Sequence, residues 1–460
     1  MEAWVTQETA AADLGDARLN QRLGIVLNRL GDKPSISIPA ASKGWAEIQA
    51  AYRLFSNDKV SMDKILRAHE AATLERIKSR PVVLLINDTT QLNYVVERKK
   101  EGLGTIRTQE RTRYHLHPTI ALTPDRVCLG TVKAKFWQRP EQGEGHLRKQ
   151  KEIKDKESIR WLESYEKACE ISRRAPRSLI VSVGDRESDI YEYYQLYAQL
   201  NDGERAQWLI RAAWDRRVTT ARGNKSNLWE TMARAPKRGT VSFELPPSGN
   251  RKARTVTQVI RSRSVVFDGV QRKGGRLPPL KVNVVYAKEQ RAPKGEKPVE
   301  WMLLTSVPVE SFEQCQEVIR WYTCRWEIEI YFKVLKSGCG VQELQFEKPQ
   351  RLQACLAVYM IIAWRVMFIE MLARSAPDIR CSVIFDEHEW KSVYVIVEGK
   401  KPPTKAPMLK PFVDMLASLG GYIGRKRDGP PGPKTIWIGL QRMRDFALAT
   451  QALNNFNICV

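Results

Sequence analysis

Histidine and cysteine are scarce in this 460-residue chain, with five histidines and eight cysteines and no C-x-x-C pair among them. The cysteines do not cluster with the histidines at metal-ligand spacing, which argues against a structural zinc site and leaves most of them as reduced core residues. The opening stretch MEAWVTQETAAADLGDARLNQRL carries charges where a signal peptide needs an apolar segment, so export is not indicated. The longest apolar run, Ala354 to Trp364, is too short to cross a bilayer and is followed by Arg365. It reads as a buried core helix; no membrane partner is expected, and the expected compartment is the cytoplasm. No internal repeat is present, and the stretches GKKPPTKAP and GRKRDGPPGPK read as loops.

Positive charge, by contrast, is plentiful. Lys and Arg number 75 against 52 Asp and Glu, a net charge of +23 spread along the whole chain. That distribution points to an extended polyanion such as nucleic acid, the alternative being a soluble protein with a merely charged surface. The hydrophobic share of 43% is that of a globular chain, and the length fits roughly three structural units at about 150 residues each.

The first eighty residues carry apolar side chains at three and four spacing in ARLNQRLGIVLNRLG, SKGWAEIQAAYRLFS and VSMDKILRAHEAATLERIKS, with Ser61 as N-cap of the third helix. With Arg18, Arg22, Lys43 and Arg53 exposed, this bundle is a DNA-docking module or else an ordinary helical cap. At PVVLLINDTT the pattern changes to a buried strand that delivers Asp88 at its tip. Strands follow at HPTIALTP and VCLGTVKAKFWQR, then a charged helix across HLRKQKEIKDKESIRWLESYEKACEISRR. SLIVSVGDRESDIYEYYQLYAQL repeats the design, a strand running into Asp185 and then a helix, and QWLIRAA is a further strand. Together these predict an α/β unit with a mixed sheet and its acids at strand ends. From Arg217 to about Pro298 turn clusters separate strands in a basic β-rich insertion; EWMLLTSVPV is again a strand, a long helix spans Glu313 to Ser337, and a helical region closes the chain.

The helix WYTCRWEIEIYFKVLKSG repays geometry. At about 100° per residue, Tyr322, Arg325, Glu329 and Lys336 fall within an arc of roughly 60°, beside an apolar stripe of Trp321, Cys324, Ile328, Tyr331, Phe332 and Leu335. A solvated face with an Arg325–Glu329 pair explains the same spacing. Asp88, Asp185 and Glu329 come from three elements, and acids gathered in one place are costly unless divalent cations neutralise them. All-oxygen ligation suits Mg²⁺ or Mn²⁺, and two such ions serve phosphodiester cleavage or transfer. N-capping of the next helix is the competing role for each Asp.

LLINDTTQLNY, VGDRESDIYEY and the Y-x-x-R-x-x-x-E-x-x-x-x-x-x-K signature at Tyr322, Arg325, Glu329 and Lys336 resemble the DDE transposases of bacterial insertion sequences. The group most alike is the insertion-sequence-four family, which includes the transposase of transposon five. The likeness runs from LGDARLNQRL and AAYRLF through EWMLLTSVPVES to LGGYIGRKR.

The resemblance implies an α/β RNase H-like catalytic core over residues 63–365 with a β-rich insertion at about 217–298, an N-terminal helical DNA-binding bundle at 1–62 and a C-terminal helical dimerisation region at 366–460. It implies that Asp88, Asp185 and Glu329 hold two Mg²⁺ ions, with Mn²⁺ able to substitute. Tyr322, Arg325, Lys333, Lys336 and Arg211 match phosphate contacts, and Trp301 matches the tryptophan that receives a flipped base. Trp326 lies near it on the signature helix, with core packing the other role for both indoles. Arg18, Arg22, Lys43 and Arg53 belong to the residues expected to read the end sequence. Phe332 stands where relatives can carry histidine, and no role is assigned to it. The implied reaction is cut-and-paste transposition: hydrolytic nicking, hairpin formation, hairpin opening and joining to target. The implied partners are the inverted-repeat ends, target DNA and a second copy in the synaptic complex, on the bacterial nucleoid. With the N-terminal module present, an active enzyme is expected instead of a shortened inhibitor. A nuclease without strand transfer and a non-catalytic DNA-binding regulator are the alternatives.

Overall fold

A computed structural model of the chain describes residues 2–33, 37–99, 107–139, 152–245, 253–346, 348–425 and 428–455. The chain forms two compact units, one from residues 1–77, 89–139 and 327–460, the other from 78–88 and 140–326.

The second unit is built on a mixed sheet. Its apolar runs Val82–Asn87 and Leu179–Gly184 pair in parallel, with Ile86 opposite Val183, and Gln207–Arg211 continues the parallel set with Ile210 opposite Gly184. Val83 to Ile86 are wholly buried, which is why these strands read as continuous apolar runs and not as alternation. Antiparallel strands extend the sheet through Glu300–Thr305, Leu280–Glu289, Arg254–Phe267, Arg217–Thr220 and Lys225–Asn227, with Lys237–Leu245 also paired to Arg254–Phe267. The strands expected in the 217–298 stretch therefore join the same sheet as the parallel ones. The helices Ile159–Arg174 and Tyr191–Gln199 close an aromatic core, in which Tyr165 meets Tyr193 at 4.6 Å and Tyr194 meets Trp208 at 4.7 Å.

One expected helix is shorter than its sequence suggested. The segment beginning at His146 is helical only from Ile159; Ile153–Asp155 is a single tight turn, and residues 146–151 lie outside the described residues. IKDKE has one apolar residue and so no stripe to bury, and a short helix without a packed face is marginal. The long helix expected from Glu313 to Ser337 is likewise broken. A capping box of Ser311 and Gln314 starts Phe312–Thr323, a 3₁₀ turn occupies Cys324–Trp326, and Glu327–Lys333 is α-helical. A π turn then spans Val334–Gly338, closed by the Cys339 N–H donating to the Val334 carbonyl at 2.8 Å.

The first unit contains the helices Ala3–Thr9, Ala17–Asp32, Trp45–Phe55 and Met62–Lys78, an antiparallel meander of Thr90–Lys99, Arg107–Leu122 and Cys128–Gln138, and the C-terminal helices. Lys64 N–H donates to Ser61 Oγ at 3.3 Å, the expected cap. The helix Pro349–Ser375 is long and apolar enough to cross a membrane, yet every residue from Ala354 to Trp364 is buried in the protein, and Trp364 Nε1 donates to the Cys128 carbonyl at 2.9 Å. It is a core helix. Glu387–Glu398, Leu409–Leu419 and Pro433–Asn455 complete the C-terminal region. The seven described cysteines are free and buried.

Candidate active site

Strand register in the second unit does the positioning. Two residues beyond the Ile86–Val183 pair stand Asp88 and Asp185; one residue beyond the Gly184–Ile210 pair stand Asp185 and Arg211. Three neighbouring parallel strands thus end, in register, on two carboxylates and a guanidinium, with neighbouring strands about 4.8 Å apart. Asn87, just before the first acid, ties its strand to the next by donating from Nδ2 to Ser182 Oγ at 3.1 Å.

Beneath Asp185 the chain turns sharply. Ser188 Oγ donates to the Asp185 carbonyl at 2.6 Å, and the Asp185 carboxylate accepts from Glu187 N–H at 2.9 Å. A Cβ on Gly184 would lie 2.3 Å from Ser188 Oγ, so glycine is what permits the turn. The capping role considered for Asp185 is therefore real, but it occupies one oxygen only. Asp189, four residues on, is the structural acid: buried, it accepts from Ala213 N–H at 2.7 Å, Trp214 N–H at 3.1 Å and Tyr194 Oη at 2.7 Å, and it pairs with Arg216 at 2.5 Å. It fastens the segment after Arg211 to the turn after Asp185.

Cationic and aromatic groups line the same end. Arg325 Nη1 contacts Asp88 Oδ2 at 2.8 Å, both side chains being mostly buried. Its guanidinium also lies 5.1 Å from the Trp326 ring centre. Trp326 is 58% exposed, which rules out core packing for this indole. Tyr322 is buried, whereas the wheel placed it on the border of the apolar stripe; the 3₁₀ turn interrupts the even 100° step on which that wheel depends. Burial pushes the Tyr322 phenol up, while Arg325 and Arg211 draw it back. Burial likewise lowers Arg211, opposed by Tyr322, and Arg211 Nη2 donates to the Glu300 carbonyl at 3.1 Å. Trp301 is half-buried, stacked on Phe243 with centroids 6.1 Å apart and planes 7° from parallel, and tilted against Tyr322 at 6.3 Å.

The remaining expected residues belong to the first unit. Glu329 and Lys333 are exposed on Glu327–Lys333, and Lys336 is half-buried on the π turn. Burial lowers the Lys336 pKa, and the Glu329 carboxylate opposes that shift. In the N-terminal bundle Lys43 and Arg53 are exposed, and Arg53 Nη2 donates to Gln49 Oε1 at 3.2 Å. Arg18 is exposed and paired with Asp16 at 3.1 Å. Arg22 differs from expectation. It is half-buried, lining a small cleft with Ile38, Glu47 and Ala51, because it lies on the side of its helix that turns toward Trp45–Phe55.

Among the described residues no three of His, Cys, Asp and Glu lie close enough together to hold a metal ion. The donors at the strand tips are carboxylate oxygens, the set a hard divalent cation prefers. Asp88 is engaged there by the Arg325 guanidinium, a contact an ion would share or displace. By donor type the two carboxylates fit such an ion. Asp189 and Phe243 were not foreseen from sequence. The only signal for the first is the second acid of GDRESD, and for the second an alternating strand, VSFEL.

Three family models match the chain: Transposase DNA-binding over residues 1–60, Transposase DDE domain over 182–364 and Transposase Tn5 dimerisation domain over 361–456. The DDE match takes in Asp185 and Glu329, and Asp88 lies upstream of it. Among solved structures the chain is similar to a piggyBac transposase in a synaptic complex with hairpin DNA. The identity is 9%, covering 95% of this chain and 81% of that one, at a TM-score of 0.34, a likeness too slight to bear on the fold.

Proposed function

This chain is a DDE transposase that resembles the transposon-five type, and from that premise we propose that it performs cut-and-paste transposition through a hairpin intermediate. A transposase DNA-binding region and a dimerisation region make it a protein that binds DNA and self-associates. The observation that carries the finer reading is the registered pair Asp88 and Asp185 at the tips of adjacent parallel strands.

In this proposal the catalytic core is RNase H-like, and Asp88, Asp185 and Glu329 are its catalytic carboxylates. They hold Mg²⁺, or Mn²⁺ in its place. Such ions, when bound, activate a water or 3′-hydroxyl and stabilise the leaving oxygen. The rest falls to the protein's own groups. Arg325, Arg211 and Tyr322 bring two guanidinium groups and a phenol to the acid end of the sheet, suited to phosphate oxygens beside the scissile bond. Lys333 and Lys336 supply ammonium donors for the same backbone; the burial that lowers Lys336 is relieved when a phosphate pairs with it. Trp301, braced by Phe243, takes the base flipped out as the hairpin closes.

The sequence of steps is hydrolysis at the transposon end, attack of the freed 3′-hydroxyl on the opposite strand, hydrolysis of the hairpin and attack on target DNA. Each step exchanges one P–O bond for another. Lys43, Arg53, Arg18 and Arg22 serve the inverted-repeat ends, two copies act in the synaptic complex, and the setting is the bacterial cytoplasm at the nucleoid. The test uses the full chain, Mg²⁺ and DNA bearing its element's ends, with products resolved on denaturing gels. Hairpins and joined products are expected. Nicks alone would leave a nuclease, and binding without cleavage in Mg²⁺ or Mn²⁺ would leave a regulator.

A further inference from the structure

Thirteen tryptophans occur in the chain, and three of them expose most of the indole: Trp45, Trp214 and Trp326. Trp214 is 64% exposed, and no role has been given to it. A large apolar ring left in water is unusual unless something covers it in use.

Trp214 is not loosely held. Its backbone N–H and that of Ala213 donate to the buried Asp189 carboxylate at 3.1 and 2.7 Å, and its carbonyl accepts from Arg216 N–H at 3.0 Å. Arg216 is itself pinned to Asp189. Side chain and setting are thus in contrast, a clamped backbone presenting an open ring. The position matters as well. Trp214 comes three residues after Arg211, the residue in register with Asp185, so it follows the strand end next to the one that carries Asp185.

Beyond Trp214 the exposed charges are mainly cationic. Arg217 opens the strand Arg217–Thr220, which returns through a turn to Lys225–Asn227, and Arg217, Arg222 and Lys225 are all exposed. Asp215, the acid in this stretch, accepts from Trp229 N–H at 3.0 Å and so is engaged in starting the next helix. An exposed indole followed by solvent-facing cations is the pattern of a single-strand track, in which a base stacks on the ring and the phosphates meet the cations.

We propose that Trp214 is a second base-stacking platform, taking an unpaired base of the DNA strand while Arg217, Arg222 and Lys225 hold its phosphates. The inference rests on DNA being the substrate and adds a site separate from Trp301. Stacking on an indole is sequence-tolerant and contributes about 1–3 kcal/mol per base, equivalent to about 5- to 150-fold in affinity.

The test measures binding of the full chain to two probes of equal length, a fully paired duplex and a forked duplex ending in unpaired thymines. Trp214→Ala is expected to weaken fork binding about 5- to 150-fold and duplex binding less than twofold, while Trp214→Phe retains most fork affinity. Thermal unfolding of both variants at the wild-type midpoint shows that the fold is kept. Equal losses on both probes, no loss on either, or a wild type that does not prefer the fork would each overturn the platform. None of those outcomes touches the transposase reading, which stands or falls on cleavage.

Discussion

Two groups of buried or half-buried acids in this protein are built on opposite principles. In the first unit Glu8 is wholly buried and saturated. Its carboxylate meets His69 Nδ1 and Arg76, at 2.7 Å to Nη1, while Arg76 Nε donates to the Leu129 carbonyl at 2.6 Å. His69 Nε2 accepts from Thr131 N–H at 3.0 Å, so the imidazole is neutral and its proton faces Glu8. Burial depresses the His69 pKa, and although burial also raises Glu8, His69 and Arg76 outweigh it and hold the carboxyl below its usual range. In the second unit Asp88 and Asp185 stand half-buried at strand tips, where Asp88 meets the Arg325 guanidinium and Asp185 accepts from Glu187 N–H. The saturated acid holds helices together. The tip acids instead stand side by side and partly exposed at the ends of adjacent parallel strands, where ligands of such sheets collect.

The contrast breaks most visibly at the tips. Asp88→Ala or Glu329→Ala should remove detectable cleavage on a denaturing gel and leave end binding near wild type, with the unfolding midpoint kept by Glu329→Ala and lowered by Asp88→Ala, which deprives the mostly buried Arg325 of its carboxylate; cleavage retained in either variant would strike that residue from the triad. Glu8→Ala should do the reverse, costing about 3–5 kcal/mol because the buried imidazole N–H loses its acceptor and the half-buried Arg76 guanidinium loses its carboxylate. Chemical denaturation measures that loss, and a cost below about 1 kcal/mol would mean the network is slack. Trp301→Ala is expected to slow hairpin formation more than first-strand nicking, by about 5- to 150-fold if one stacked base is lost. Equal slowing of both steps would assign Trp301 to general packing.

The smallest effect sharpens the comparison with a third acid group. Asp32 contacts Arg444 at 3.1 Å, and burial and the Glu2 carboxylate push it up to about 8; burial and Glu2 likewise push Glu389 up to about 7. Arg365 and Asp386 also act on Glu389. Carboxyls raised in the folded state stabilise it below their ordinary pKa and lose that contribution as pH rises toward 8. Glu8 and His69, both lowered, lose theirs as pH falls. Unfolding midpoints should therefore decline as pH rises from 5 toward 8 and level off above it, and Asp32→Asn should make that decline shallower.

Much of this was legible in the sequence. Continuous Val, Leu and Ile runs ending in Asp read as buried strands, and Asp88 and Asp185 do follow two such strands, which the structure pairs in parallel. The apolar stripe of the signature helix is buried as its spacing predicts. What escaped depends on contacts distant in sequence. Arg325 pairs with an acid 237 residues away, which no spacing along one helix reveals. Phe243 reaches Trp301 through strand pairing within the β-rich stretch, and Asp189 shows its structural role only through hydrogen bonds to Ala213 and Trp214. The 3₁₀ and π turns that flank Glu327–Lys333 leave no apolar signature, so a wheel drawn with one step misplaces Tyr322.

The most direct test pairs one acid of each kind. Asp185→Asn and Glu8→Gln are assayed in Mg²⁺ on the element's own ends, at a temperature where both remain folded. The account predicts no cleavage by Asp185→Asn at an unchanged unfolding midpoint, and wild-type cleavage per folded molecule by Glu8→Gln at a lowered one. Cleavage by Asp185→Asn at the wild-type rate would contradict it.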